Sequence, residues 1–210
     1  LPAVEMDTNW PGEMHILGLG IDVTEPRLAE MLETARLRRA ERNVAILELL
    51  DQAGYPIGQY LSRAPGSATR LHIALALVEA GYAENLRDAF ARYLRKGCPG
   101  FYAIRRFTPE EVVAGILGAG GVPIWAHPFH GGQNVHQMLE MLYSAGIQGI
   151  EVYHPSASAG ESEILLSLAQ QYRLLVTCGS DCHGANRPAV SIGCTWRDTP
   201  ELAETYHFFT

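Results

Sequence analysis

No apolar run in the sequence approaches the ~20 residues that a bilayer-spanning helix needs, which excludes a helical membrane span. The first residues, Leu1-Pro2-Ala3-Val4-Glu5, have neither the basic segment nor the apolar stretch of a secretory signal. They also lack an initiating Met and begin in what reads as a strand, so the natural protein is expected to begin upstream. Cysteine is scarce, at 4 in 210 residues, which argues against a disulfide framework and for a reduced, cytoplasmic protein. Cys178 and Cys182 could serve a zinc site, but their spacing matches no strong zinc pattern. Cys178 reads better as a small strand residue facing the core. Positive charge is also in deficit: 16 Lys and Arg stand against 23 Asp and Glu, a net charge of −7. That balance disfavours a nonspecific grip on long nucleic acid such as duplex DNA.

What is present is a composition ordinary for a globular protein, 47% hydrophobic and 19% charged, with enough chain for one core plus a small second lobe. The charge is unevenly spread. Residues 25–107 hold 13 of the 16 basic residues against 9 acids, while the remainder holds 3 against 14. Such asymmetry suggests an acidic part that holds cations and a basic part that meets an anionic substrate.

The pattern predicts a hairpin first. Val4–Asp7 and Met14–Ile21 read as strands joined through Trp10-Pro11-Gly12-Glu13. Alternation places Glu5 and Asp7 on one face and sets His15 among Leu17 and Leu19. On that evidence alone His15 reads as a hydrogen-bonded core residue rather than a ligand. Residues 24–53 have helical spacing, with Thr24 as N-cap and Gly54 as the stop. Arg36, Arg38, Arg39 and Arg42 read as a solvated face paired with Glu33 and Glu41. A Pro/Gly/Ser loop over 55–68 precedes helices at Thr69–Ala80 and Asn85–Lys96. The stretch 25–104 is therefore expected to be an all-α insertion lobe between two parts of an α/β domain, 1–24 and 105–210.

From Thr108-Pro109-Glu110-Glu111, a capping box with Pro at the first helical position, strands and helices alternate. Strands are predicted at Val122–Ala126, Ile147–Tyr153, Leu174–Cys178 and, briefly, Ser191–Thr195. Helices are predicted to follow Thr108, then at 135–145, 161–172 and 200–207. This alternation implies βα units in a parallel sheet or barrel. Three successive strands deliver a histidine at the C-terminal end, His127, His154 and His183, and Asp181 joins the last. Parallel sheets and barrels place their chemistry at that end, so this set points to a metal site.

Four fragments carry a family resemblance: Val-Glu-Met-Asp-Thr-Asn-Trp with Met-His-Ile-Leu-Gly-Leu-Gly-Ile-Asp, then Ile-Trp-Ala-His-Pro, Ile-Glu-Val-Tyr-His-Pro and Thr-Cys-Gly-Ser-Asp-Cys-His-Gly. Together they resemble the PHP (polymerase and histidinol phosphatase) family, in its branch of nucleoside 3′,5′-bisphosphate phosphatases that also trim short RNA. The resemblance implies a distorted (β/α)₇ TIM-like barrel with a helical insertion and bound divalent metals, Mn²⁺ first, with Fe²⁺, Zn²⁺ or Mg²⁺ as others. It implies metal-ligand roles for Glu5, His15, His127, Asp181 and His183, which reverses the reading of His15. Of these, His127, Asp181 and His183 are also the candidate catalytic residues. It places Arg70 and His72, with Lys96 as a weaker candidate, against substrate phosphates, and His154 near the substrate. The family's opening motifs, a His-x-His, an Asp and an Asp-His pair, do not occur. Either the sequence is a piece of a longer protein or part of the site has been lost.

The implied activity is metal-dependent hydrolysis of phosphate monoesters of small nucleotides, and of short oligoribonucleotides. Two alternatives stand beside it. One is an amidohydrolase-like metal enzyme cutting C–N bonds, since similar ligand sets on barrels serve both reactions. The other is a non-catalytic module that retains a phosphate grip.

Overall fold

The computed structural model describes every residue except 63–67, 131 and 133. The chain forms two compact units, one of Leu1–Ala29 with Arg106–Thr210 and the other of Glu30–Arg105. The first unit is α/β. Its sheet has five strands in sequence order: β1 (Ala3–Asp7), β2 (His15–Leu19), β3 (Val122–Ala126), β4 (Gly149–Tyr153) and β5 (Leu175–Cys178). The sheet is mixed. β2 runs antiparallel to both β1 and β3, whereas β3, β4 and β5 are parallel.

Seven α-helices occur among the described residues: α1 (Pro26–Gln52), α2 (Arg70–Glu79), α3 (Leu86–Ala89), α4 (Pro109–Gly118), α5 (Val135–Ala145), α6 (Ala159–Tyr172) and α7 (Pro200–Phe209). In the first unit α4 packs on β2 and β3, α6 on β4 and α7 on β5. β3 is buried along its whole length, and Ile150 and Val152 of β4 are fully buried. Near-continuous apolar strands of this kind are the mark of parallel strands buried on both faces. Gly146 ends α5 in the left-handed region, at a φ of 102°, where a side chain would be strained.

Helix starts follow the capping chemistry. Thr108 Oγ1 accepts from the Glu111 amide while the Glu111 carboxylate accepts from the Thr108 amide. Thr108→Ala is therefore expected to cost about 1 kcal/mol, seen as a fall of about 2–4 °C in Tm.

Several expectations are corrected. Thr24 does not cap α1; its amide and hydroxyl both bond Asp22, and the Glu25 carboxylate accepts the Leu28 amide instead. The helix expected over 85–96 is four residues of α3 followed by a π-helical turn at Phe90–Leu94, so Lys96 lies beyond it on an exposed turn. Ser191–Thr195 forms turns, not a strand. Arg36 does pair with Glu33 on the surface, but Arg42 is buried, with its guanidinium donating to Asn43 Oδ1. Residues 63–67 of the predicted 55–68 loop lie outside the described residues, and Gly58–Tyr60 of that loop makes a 3₁₀ turn.

The second unit has its own core, in which Ile46 and Leu50 of α1 meet Ile73, Ala74 and Leu77 of α2 together with Tyr93 and Leu94. No helix among the described residues is long and apolar enough to cross a membrane.

Candidate metal centre

Strand register builds the site. Asp7 lies opposite His15, and His15 lies opposite Ala126, the residue before His127. Because β2 runs against its neighbours, its first residue reaches the edge where β1 and β3 end. Glu5, one pleat back from Asp7, points to the same face. One ligand atom from each of Glu5, His15 and His127 then lies within 4.8 Å of the other two. Glu5 Oε1 is 2.9 Å from His15 Nδ1 and 3.5 Å from His127 Nε2. The His15 and His127 rings meet edge to face with centroids 4.9 Å apart.

The electrostatics match this packing. Hydrogen bonds to His127, then to His15, hold the Glu5 carboxyl far below the usual carboxylate range. Burial pulls His15 down, but the Glu5 hydrogen bond and the charges of Glu5, Asp7 and Glu13 outweigh it, and its pKa ends above the ordinary value. His15 Nε2 faces Glu13 Oε1 at 3.6 Å and Asp7 Oδ1 at 3.8 Å, and Asp7 is itself paired with Arg106. A carboxylate beside the second nitrogen of an imidazole is the usual support for a ligating histidine.

These residues fit a divalent cation. One carboxylate and two imidazoles form a donor set for transition cations, and a tetrahedral ion at ~2.1 Å from each ligand separates its donors by about 3.4 Å. The observed 2.9 and 3.5 Å bracket that value.

His127 is only 6% exposed and adopts a φ of 32°, and Asp181 has a φ of 48°. The left-handed region is costly for residues with a Cβ, and such outliers gather at functional sites. Asp181 and His183 lie outside the three-residue group. Asp181 Oδ2 accepts from Arg187 at 3.0 Å, and His183 Nδ1 sits 2.8 Å from the Asp181 carbonyl with half its side chain exposed.

His154 packs 5.4 Å from His127, centroid to centroid. Its Nδ1 accepts from the Ser156 amide, and its buried Nε2 has no partner among the described residues. Burial, then the neighbouring His127, lowers its pKa to about 4. A cavity of about 290 Å³ opens beside it, lined by Tyr153, Ser162, Glu163, Thr195 and Arg197 among others.

Arg70, His72 and Lys96 belong to the second unit. Arg70 donates to the Leu94 carbonyl at 2.6 Å and lies over the Phe90 ring at 5.3 Å. His72 Nδ1 accepts the Thr69 amide as part of the α2 cap.

Two neighbours of the site escaped the sequence reading. His130 stacks edge-on to His127 at 5.0 Å. Glu151, 4% exposed, accepts the His127 amide with Oε2 at 2.9 Å. Burial, against the lowering effect of that amide, raises its pKa to about 6. A lone acid between Ile150 and Val152 in a buried strand was the available signal, since unpaired acids are almost never fully buried.

No family model matches the chain. It is 33% identical over 210 residues to the 3′,5′-nucleoside bisphosphate phosphatase of Chromobacterium violaceum, covering 96% of this chain and 73% of that protein. It is 34% identical to the 5′-3′ exoribonuclease Rnm of Escherichia coli, covering 87% of this chain and 65% of the relative. The chain thus spans about two thirds to three quarters of these curated relatives. Among solved structures, an amidohydrolase of Chromobacterium violaceum with bound sulfate superposes with a TM-score of 0.83 at 31% identity, covering 95% of this chain and 72% of that one. A Bifidobacterium adolescentis protein described as a metal-dependent phosphoesterase also gives a TM-score of 0.83, at 29% identity, with 96% and 74% covered.

Proposed function

This chain belongs to the PHP family of metal-dependent phosphoesterases, and from that premise we propose that it hydrolyses phosphate monoesters of small nucleotides at the Glu5–His15–His127 site. The convergence of those three ligand atoms carries the reading. Nucleoside 3′,5′-bisphosphates are the proposed substrates, with short oligoribonucleotides as a second class, in keeping with the names of the relatives. We assign the mixed sheet to a distorted (β/α)₇ barrel, which the parallel β3–β5 and their crossover helices support.

Glu5, His15 and His127 would hold the cation, Mn²⁺ by family resemblance. Asp181 and His183 are retained as further candidate ligands, and the left-handed backbone of Asp181 supports the first. When bound, the ion held by these residues would supply Lewis-acid charge to a phosphoryl oxygen and hydroxide near neutral pH. His154 Nε2 offers a buried N–H to a substrate oxygen, and an unpartnered donor there costs about 1–3 kcal/mol until something accepts it. By the family resemblance Arg70, His72 and Lys96 are proposed as phosphate-binding residues, a role for which the planar fork of Arg70 suits bidentate binding.

Phosphate release from adenosine 3′,5′-bisphosphate with Mn²⁺ tests the reading. Ammonia release from amide substrates, with no phosphate released, would favour the C–N hydrolase that the name of one structural neighbour suggests. Arg70→Ala should raise KM at least about tenfold for the bisphosphate, given about 1.5–3 kcal/mol for a charged hydrogen bond, and change KM for an aryl phosphate little. Loss of the Leu94 and Phe90 contacts affects both substrates alike, so the ratio isolates the phosphate contact.

A further inference from the structure

We propose that Glu151 is a positioning residue: its buried carboxylate, wedged between the ends of β3 and β5, holds the His127 backbone in the strained turn that aims the imidazole at Glu5 and His15. The inference rests on the reading of His127 as a metal ligand and names what fixes it.

Three observations converge. The His127 amide has the Glu151 Oε2 as acceptor at 2.9 Å, and both residues are at least nine-tenths buried. His127 is not a glycine, yet it has a φ of 32°, a conformation that persists only when its surroundings over-determine it. On the other side the Glu151 carboxylate lies directly against Gly179. A Cβ built on that glycine would fall 1.9 Å from Glu151 Oε1. Gly179 does not sit in the left-handed region, so the turn itself does not demand glycine there. The space is reserved for the carboxylate. The Gly179 amide bonds the Tyr153 carbonyl at 3.0 Å, which ties the end of β5 to the end of β4.

Glu151 is thus confined on the β5 side and bonded on the β3 side. Without its acceptor, the His127 amide would be buried and unpaired, and the turn would relax toward an ordinary φ. The imidazole would then leave its 3.5 Å approach to Glu5. Groups that orient a metal ligand from behind typically change metal affinity 10- to 100-fold when removed.

The test is Mn²⁺ affinity by calorimetry on the chelator-stripped chain, with the visible spectrum of the Co²⁺ form as a readout of ligand geometry. Glu151→Ala should weaken Mn²⁺ roughly 10- to 100-fold and alter the Co²⁺ spectrum. Glu151→Gln keeps an oxygen acceptor for the His127 amide and should restore both. Gly179→Ala should push the carboxylate aside and reproduce the Glu151→Ala loss. Adding Gly179→Ala to Glu151→Ala should cost nothing further, since no carboxylate remains to be displaced.

The proposal is overturned if Glu151→Gln is as damaging as Glu151→Ala, if Gly179→Ala binds Mn²⁺ like the wild type, or if the double variant shows additive losses. Should Glu151→Ala fail to fold, the Gln and Gly179→Ala variants decide the matter by themselves. Glu5→Ala serves as the control. Loss of Mn²⁺ there with none in Glu151→Ala defeats only the positioning role, whereas unchanged binding in Glu5→Ala defeats the metal site itself.

Discussion

Glu5→Ala should abolish stoichiometric Mn²⁺ binding and lower phosphate release by about 10³-fold or more. Glu5 Oε1 is the atom that both imidazoles approach, at 2.9 and 3.5 Å, so its removal leaves two histidines with no anion between them. Its hydrogen bonds to His127 and His15 keep it ionised throughout the neutral range, so a cation held there would meet a full negative charge. Lewis-acid stabilisation is worth several kcal/mol, and each 1.36 kcal/mol is tenfold in rate, which sets the scale of the loss. Glu5→Gln keeps the shape and one oxygen but not the charge, and should fall between the two. Stripping the wild type with a chelator should imitate Glu5→Ala, and Mn²⁺ should then restore the wild type alone. Full activity in Glu5→Ala under saturating Mn²⁺ would place the chemistry elsewhere in the chain.

Between pH 4.5 and 6 the stability of the metal-free protein should hardly change, because two buried groups titrate in opposite senses. Glu151 has a folded pKa of about 6, above the 4.5 of an unperturbed Glu. In that window the folded state holds more protons at this site, so its contribution falls as pH rises. His154 has a folded pKa of about 4, below the ordinary 6.5. There the unfolded state holds more protons, and the contribution of His154 rises with pH. Over this window each group is partly titrated at the ends, so each amounts to about 1–2 kcal/mol, at 1.36 kcal/mol per pH unit for a full proton, and the two nearly cancel. Glu5, with its depressed pKa, loses its contribution only as pH falls below this window, and His15, with its raised pKa, only above it. Denaturant titrations should therefore show Glu151→Gln gaining, and His154→Gln losing, about 1–2 kcal/mol from pH 4.5 to 6. A flat profile in either variant would contradict the buried environment of the group that remains.

Much of the frame was legible along the chain. The capping box at Thr108, the strand Val122–Ala126 and the α5 boundaries at Val135–Ala145 follow from signals local to a few residues. Such signals act within one or two turns, so the sequence displays them directly. The elements that were misread lack that locality. Phe90–Leu94 winds as a π-turn that sequence periodicity does not announce, and Ser191–Thr195 has strand-like residues but forms turns.

Which residues could do chemistry, and at which strand ends His127 and His154 would stand, was decided by the sequence, since parallel βα units deliver such groups to one edge. That His15 belongs with them was decided by pairing. Its position at the start of β2 becomes a position at the shared edge only because β2 runs antiparallel between β1 and β3. The place of Glu151 was likewise a tertiary outcome. Its partners are an amide 24 residues earlier and a glycine 28 residues later, brought within hydrogen-bond and van der Waals reach by packing alone. Local propensity depends on neighbours along the chain, whereas a ligand set depends on distances that only strand register and burial fix.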